Sequence, residues 1–267
     1  MKIKLLCALS VWCLLIPLTA AQTVPTAPAQ GVTSPVAPKP RPSRDAGNQM
    51  DAQLFYQVLL GELIAGTGEA GPAVSLILDA ARKSQDSRLF QRATDLALES
   101  RSGEIALQAA RAWKLAQPGS LEASRYILQI LLALNRLSES AEALKAVMEL
   151  TPVQERIQAL SSVPRLYARV NDKKLVQELV EQALASYFRA PATSSAAWVM
   201  AARLRIAADN KAGALEAVQR GHAADRNAED PLMMAVELMD PAMPAAEALV
   251  LQQLSVASGA QTELRFA

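Results

Sequence analysis

A single histidine, His222, stands among the 267 residues, so any Ser-His-Asp or Cys-His relay would have to run through it. It follows Gly221 near the end of a helical stretch, where an exposed imidazole is well placed beside the last carbonyls. No multi-histidine metal cluster can be completed. The acidic groups Glu139 with Glu142, and Asp225 with Glu229 and Asp230, have the composition of a glycosidase pair. Their spacing is that of solvated helix faces. Gly66, Gly68 and Gly71 are spaced as turn residues before a helix, and no Lys-Ser or Lys-Thr follows to make a phosphate loop. Trp113, Trp198 and the methionines Met233, Met234, Met239 and Met243 read as packing residues, although an exposed Met cluster would suit an adaptable binding surface. These residues assign no catalytic, cofactor or metal site, and the chemistry to look for is recognition rather than reaction.

Recognition needs a surface, and composition says what builds it. Hydrophobic residues make up 51% and aromatics only 4%. Alanine and leucine dominate, which favours close-packed helices over strands rich in β-branched and aromatic side chains. The expected class is all-α. Residues 1–21 carry Lys2 and Lys4, an apolar run from Leu5 to Leu18, and small residues Thr19, Ala20 and Ala21, the layout of a secretory signal peptide. That run falls short of the roughly 20 residues a spanning helix needs, and no later segment approaches that length. Cys7 and Cys13 both lie inside this leader, so the chain from Gln22 has no disulfide or thiolate metal site. No cysteine follows the Leu-Thr-Ala box, which argues against lipidation. Without Lys2 and Lys4 there are 25 basic residues against 26 acidic, a balance that argues against nucleic-acid binding.

Residues 22–50 hold six prolines, at 25, 28, 35, 38, 40 and 42, and read as a linker of polyproline character ending in basic Lys39, Arg41 and Arg44. From Asp51 to 258 helical periodicity is almost continuous. Breaks fall at Gly66 to Gly71, Ser100 to Gly103, Pro118-Gly119, Asn135, Pro152, Asn171-Asp172, Ala190 to Thr193, Asp209-Asn210 and Asp230-Pro231. Residues 259–267 start a further helix, with Thr262 as its cap and the sequence stopping soon after. Pro118 and Pro152 stand 34 residues apart, each after a helix of similar pattern.

That spacing, with Leu60, Gly61 and Ile64 followed by Ala73, Ile77 and Ala80, resembles the tetratricopeptide repeat (TPR) family. Phe90, Ala93 and Ala97 with Ala106, Ala110 and Trp113 make a second unit, in which Trp113 stands where a small residue is usual. Ile127, Leu128 and Leu131 with Ser140, Leu144 and Val147 make a third. Leu160, Val163 and Tyr167 with Val176, Val180 and Ala183 make a fourth, where Pro164 predicts a kink or a late helix start. Trp198, Ala201 and Ala202 with Ala214, Val218 and Gly221 make a fifth, and a degenerate sixth pair surrounds Pro241 and Pro244.

The resemblance implies a right-handed α-solenoid of antiparallel helix hairpins whose concave face is lined by the first helix of each pair. It puts Gln91, Asp95, Arg125, Gln129, Arg165, Arg169 and Arg203 on that face, mixed in charge early and basic later. The lysine and asparagine set that clamps a terminal carboxylate in some members is replaced by Val58, Glu62, Gln91 and Asp95. The implied function is a non-catalytic scaffold, without cofactor, binding a protein or extended peptide in the periplasm of a Gram-negative envelope. The alternative is the superhelical part of a larger peptidoglycan-acting enzyme whose catalytic region lies outside this sequence.

Overall fold

In the computed structural model, residues 45–240 and 244–256 are described, with side chains over 52–240 and 244–252. Twelve α-helices and one short 3-10 turn account for most of these residues, and no strand occurs among them. The helices are α1 (Asp45–Gly66), α2 (Ala70–Ser84), α3 (Ser87–Glu99), α4 (Gly103–Ala116), α5 (Leu121–Ala133) and α6 (Leu137–Leu150). After the 3-10 turn Val153–Glu155 come α7 (Arg156–Leu166), α8 (Lys173–Ala183), α9 (Ser194–Ala207), α10 (Lys211–Ala224), α11 (Asp230–Glu237) and α12 (Pro244–Val256). From α1 to α6 and from α8 to α12, helices adjacent in sequence pack against one another in series, with α9 and α10 in the most extensive contact. The chain is all-α, as its composition requires.

Three boundaries differ from the sequence reading. Helix α1 starts at Asp45 rather than Asp51, inside the stretch read as linker, because the six residues from Asp45 to Met50 follow the last of the clustered prolines. A break at Gln85-Asp86 separates α2 from α3. Gln85 takes a left-handed φ of 56° there, and the Asp86 carboxylate accepts the Arg88 amide at 2.9 Å as an N-cap. The chain breaks before Asp230 rather than at it, since Asp230 is the first residue of α11 and Pro231 occupies its first turn. The leader, residues 22–44 and the segment 259–267 lie outside the described residues.

The repeat is written most plainly in the turns. In the α3–α4, α5–α6 and α9–α10 hairpins one residue adopts positive φ: Arg101 at 57°, Asn135 at 57° and Asp209 at 60°. Each turn is closed by the same six-residue bond, Ser102 N–H to Ala97 O, Arg136 N–H to Leu131 O and Asn210 N–H to Arg205 O, at 2.8 to 2.9 Å. Short side chains cap the helices that follow loops or turns: Ser120 accepts from the Ala123 amide, Asp172 from Leu175 and Asn210 from Gly213.

Small residues sit where helices cross. A Cβ added to Gly61 would lie 2.7 Å from Ile77 Cγ1 and 3.4 Å from the Ala73 carbonyl, so α1 approaches α2 closely only because Gly61 lacks one. The contact is with Ile77 and the Ala73 backbone.

The fourth hairpin breaks the rule of its neighbours. Helix α7 starts promptly after the 3-10 turn, and Pro164 falls in its last turn, where it removes the amide that would bond the Leu160 carbonyl. No late start occurs, and α7 and α8 have 11 residues each where α3 to α6 have 13 or 14. No left-handed residue closes this hairpin. Helix α7 lies mainly against α9, and α8 against α6 and α9.

Candidate functional site

The seven residues assigned to the inner face fall into three groups. Gln91 and Asp95, on α3, are engaged inside the fold. Gln91 Nε2 donates to Tyr126 Oη at 3.2 Å, and Tyr126 Oη donates to Asp95 Oδ1 at 2.8 Å. Tyr126 belongs to α5, so this chain of hydrogen bonds ties one first helix to the next. Burial, then the bond to Asp95, raises the Tyr126 phenol above its ordinary value. Its ring lies 5.8 Å from that of Trp113, centroid to centroid. The indole, fully buried, reaches the neighbouring hairpin rather than leaving a small-residue crossing, while its Nε1 donates to Gln117 Oε1 at 3.0 Å. Tyr126 was missed in the sequence reading, although its one-hairpin offset from Asp95, 31 residues, was the available signal.

Arg125, Gln129, Arg165 and Arg169 form the second group. All four side chains are exposed, and among the described residues no hydrogen bond or ion pair holds the three arginines. Gln129 and Arg169 are brought together at a cleft of about 820 Å³ between the ends of α5 and α7. Leu132, Leu166 and Leu175 supply its apolar wall. Asp172 also borders the cleft, with one carboxylate oxygen held by the Leu175 amide. Its charge makes the cleft mixed rather than uniformly basic.

Arg203, the third group, stands apart on α9, where its Nε approaches Met234 Sδ at 3.5 Å. Met234 is buried, Met233 half-buried and Met239 exposed, so no continuous Met surface forms among these three; Met243 lies outside the described residues.

Other charged residues weld hairpins to one another. Arg92 forks onto both oxygens of Glu62 at 2.7 and 2.8 Å, joining α3 to α1 and holding the Glu62 carboxyl below its ordinary value. Glu139 accepts from Arg136 and, across α4–α6, from Arg111 at 2.6 Å, so it is part of an inter-hairpin link rather than a bare solvated face. Arg205 forks onto Glu181 at 2.9 and 2.7 Å and donates to the Gly213 carbonyl at 2.9 Å, connecting α8, α9 and α10. His222 is half-buried, not exposed. Its Nδ1 is enclosed without a hydrogen-bond partner, and burial followed by the Arg226 charge lowers its pKa. Among the described residues no three His, Cys, Asp or Glu side chains converge as a metal site would require. No described helix is long and apolar enough to cross a membrane.

No protein-family model matches the sequence, and no curated protein matches it. Among solved structures the chain is similar to the crystal structure of PilW, described as a widely conserved type IV pilus biogenesis factor. Identity is 16% and the TM-score 0.35, covering 79% of this chain and 98% of that chain. At that identity and score the likeness carries no weight for function.

Proposed function

We propose that this chain is a non-catalytic, TPR-like scaffold, exported by its leader to the periplasm and tethered through residues 22–44, that binds an extended peptide segment of an envelope protein. The observation that carries the reading is the cleft between α5 and α7. Its leucine wall suits one apolar anchor side chain, Gln129 and Asp172 suit a peptide backbone, and Arg169 with its neighbour Arg165 is free to fork onto a carboxylate. Arg92, Arg111, Arg136 and Arg205 are consumed in ion pairs that link one helix or hairpin to another. Arg165 and Arg169 hold nothing.

The test uses a fluorescein-labelled peptide of alternating leucine and glutamate. Anisotropy titrations should give saturable binding that weakens with salt, and changing Arg165 and Arg169 together to Ser should weaken it about 10-fold or more. Helicity and melting should stay unchanged in that variant. Equal binding by wild type and variant across the salt series, or equal binding of a leucine-lysine peptide, would overturn the assignment.

A further inference from the structure

At the start of the array, α1 exposes large apolar side chains that the fold gives no reason to expose. Phe55 is 69% exposed, Tyr56 65%, Leu59 44% and Leu63 63%. Ala52, Tyr56, Leu59, Leu63 and Gly66 recur at alternating intervals of four and three, the seam by which one helix packs along another. Internal register shows what normally covers this face. Ala73, Ile77 and Ala80 on α2 correspond to Ala106, Ala110 and Trp113 on α4, 33 positions later, and all six are fully buried. The same shift carries Tyr56, Leu59 and Leu63 onto Leu89, Arg92 and Leu96 of α3. In α3 that face meets the preceding hairpin: Leu96 is buried, Leu89 half-buried, and Arg92 grips Glu62 of α1. Helix α1 packs on α2 alone among its larger helix contacts, so among the described residues no hairpin covers its equivalent face.

A solenoid end of this kind needs a polar cap or a partner, and α1 is apolar where a cap would be polar. Residues 22–44 carry six prolines, a composition that disfavours a continuous covering helix. We propose that the α1 seam is covered by the same seam of a second copy of this chain, in an antiparallel twofold pair centred on Leu59. In that register Tyr56 lies beside the other copy's Leu63 and the two Leu59 side chains meet near the axis, so each large residue faces a complementary one. The only charged residue between Ala52 and Gly66 is Glu62, already neutralised by Arg92, so the two helices approach without like-charge repulsion. Two aromatics at about two-thirds exposure and two half-exposed leucines offer roughly 400 to 500 Å² of apolar surface per copy. Over both copies that is about 800 to 1,000 Å², the size of a weak, concentration-dependent pair.

The full chain, carrying Cys7→Ser and Cys13→Ser, is expressed with its leader, and the resulting protein is sized by analytical ultracentrifugation around ~10 µM. A dimer is expected. Leu59→Asp with Leu63→Asp should convert it to monomer, raising Kd more than about 100-fold by burying charge, with helicity unchanged and melting lowered only to a concentration-independent value. In the same background Leu59→Cys introduces the only thiol, and mild oxidation should yield a covalent dimer, whereas Ser75→Cys on the exposed side of α2 should not. A monomeric wild type with no Leu59→Cys dimer overturns the proposal, as does a dimer that survives the double Asp change. So does a monomer whose α1 seam instead binds lipid vesicles.

Discussion

Tyr126 is the residue on which the early part of the array turns, and its hydroxyl shows how a side chain counted as binding surface can be spent on structure. It donates to Asp95 and accepts from Gln91 while its ring abuts Trp113, so one phenol bridges α3, α4 and α5. Replacing it by Phe keeps the ring and removes both bonds, leaving a half-buried carboxylate short of a donor. Urea unfolding should show a loss of about 1 to 2 kcal/mol. The sign with pH is fixed by the raised pKa. The protonated phenol is the form the fold prefers, so its contribution is complete below the ordinary tyrosine value of about 10 and is lost as pH climbs toward the higher folded value. The Phe variant should therefore lose less stability than wild type between neutral and strongly alkaline pH. His222 works the other way at the acid end. Its pKa is depressed by burial, so stability is complete above the ordinary histidine value and declines as pH falls toward the folded one.

At the scale of the element, hairpin turns decide how regular the repeat is. Three of them place a non-glycine residue at positive φ, and the two polar short ones, Asn135 and Asp209, tolerate it better than Arg101 does. Arg101 is exposed. Arg101→Gly should raise stability by about 0.5 to 1 kcal/mol, visible as a higher melting temperature, because relief of the left-handed strain exceeds the added freedom of glycine in the unfolded chain. Most helix ends were legible in the sequence, since Pro118, Asn135, Pro152 and Asp209-Asn210 stop or turn a helix by their own chemistry. Gln85 was not legible, because nothing in glutamine marks a left-handed turn and only Asp86 behind it signals a start. The candidate site was legible in part. Periodicity placed Gln91 and Asp95 on the right helix face, but whether a polar side chain there stays free depends on Tyr126 one hairpin away, which spacing within α3 cannot show. The cleft joining Gln129 to Arg169 likewise is lined by the end of α5 and by the turn after α7, 40 residues apart in sequence.

For the molecule as a whole, the core is divided into three successive clusters rather than one. The first runs from Val74 to Leu131, the second from Leu128 to Leu204 and the third from Val199 to Val250. Helix α5 gives Ile130 and Leu131 to the first and Leu128 to the second; α9 gives Met200 and Leu204 to the second and Ala201 and Ala202 to the third. Stability in such an array is close to a sum of local units and their interfaces. The second unit should open first, since it contains two 11-residue helices, the amide missing at Pro164 and the turn without a left-handed closure. Leu160 sits fully buried at its centre, and Leu160→Ala should cost about 2 to 5 kcal/mol there. Followed by hydrogen exchange, that change should strip protection from α6 to α8 while amides of α2 to α4 exchange as in wild type. The two shared helices, α5 and α9, should lose protection only on the turns that carry Leu128, Met200 and Leu204. Equal acceleration in α2 to α4 would mean that the clusters unfold as one unit. The cleft at Arg169 would then be held by the whole array rather than by the hairpins on either side of it.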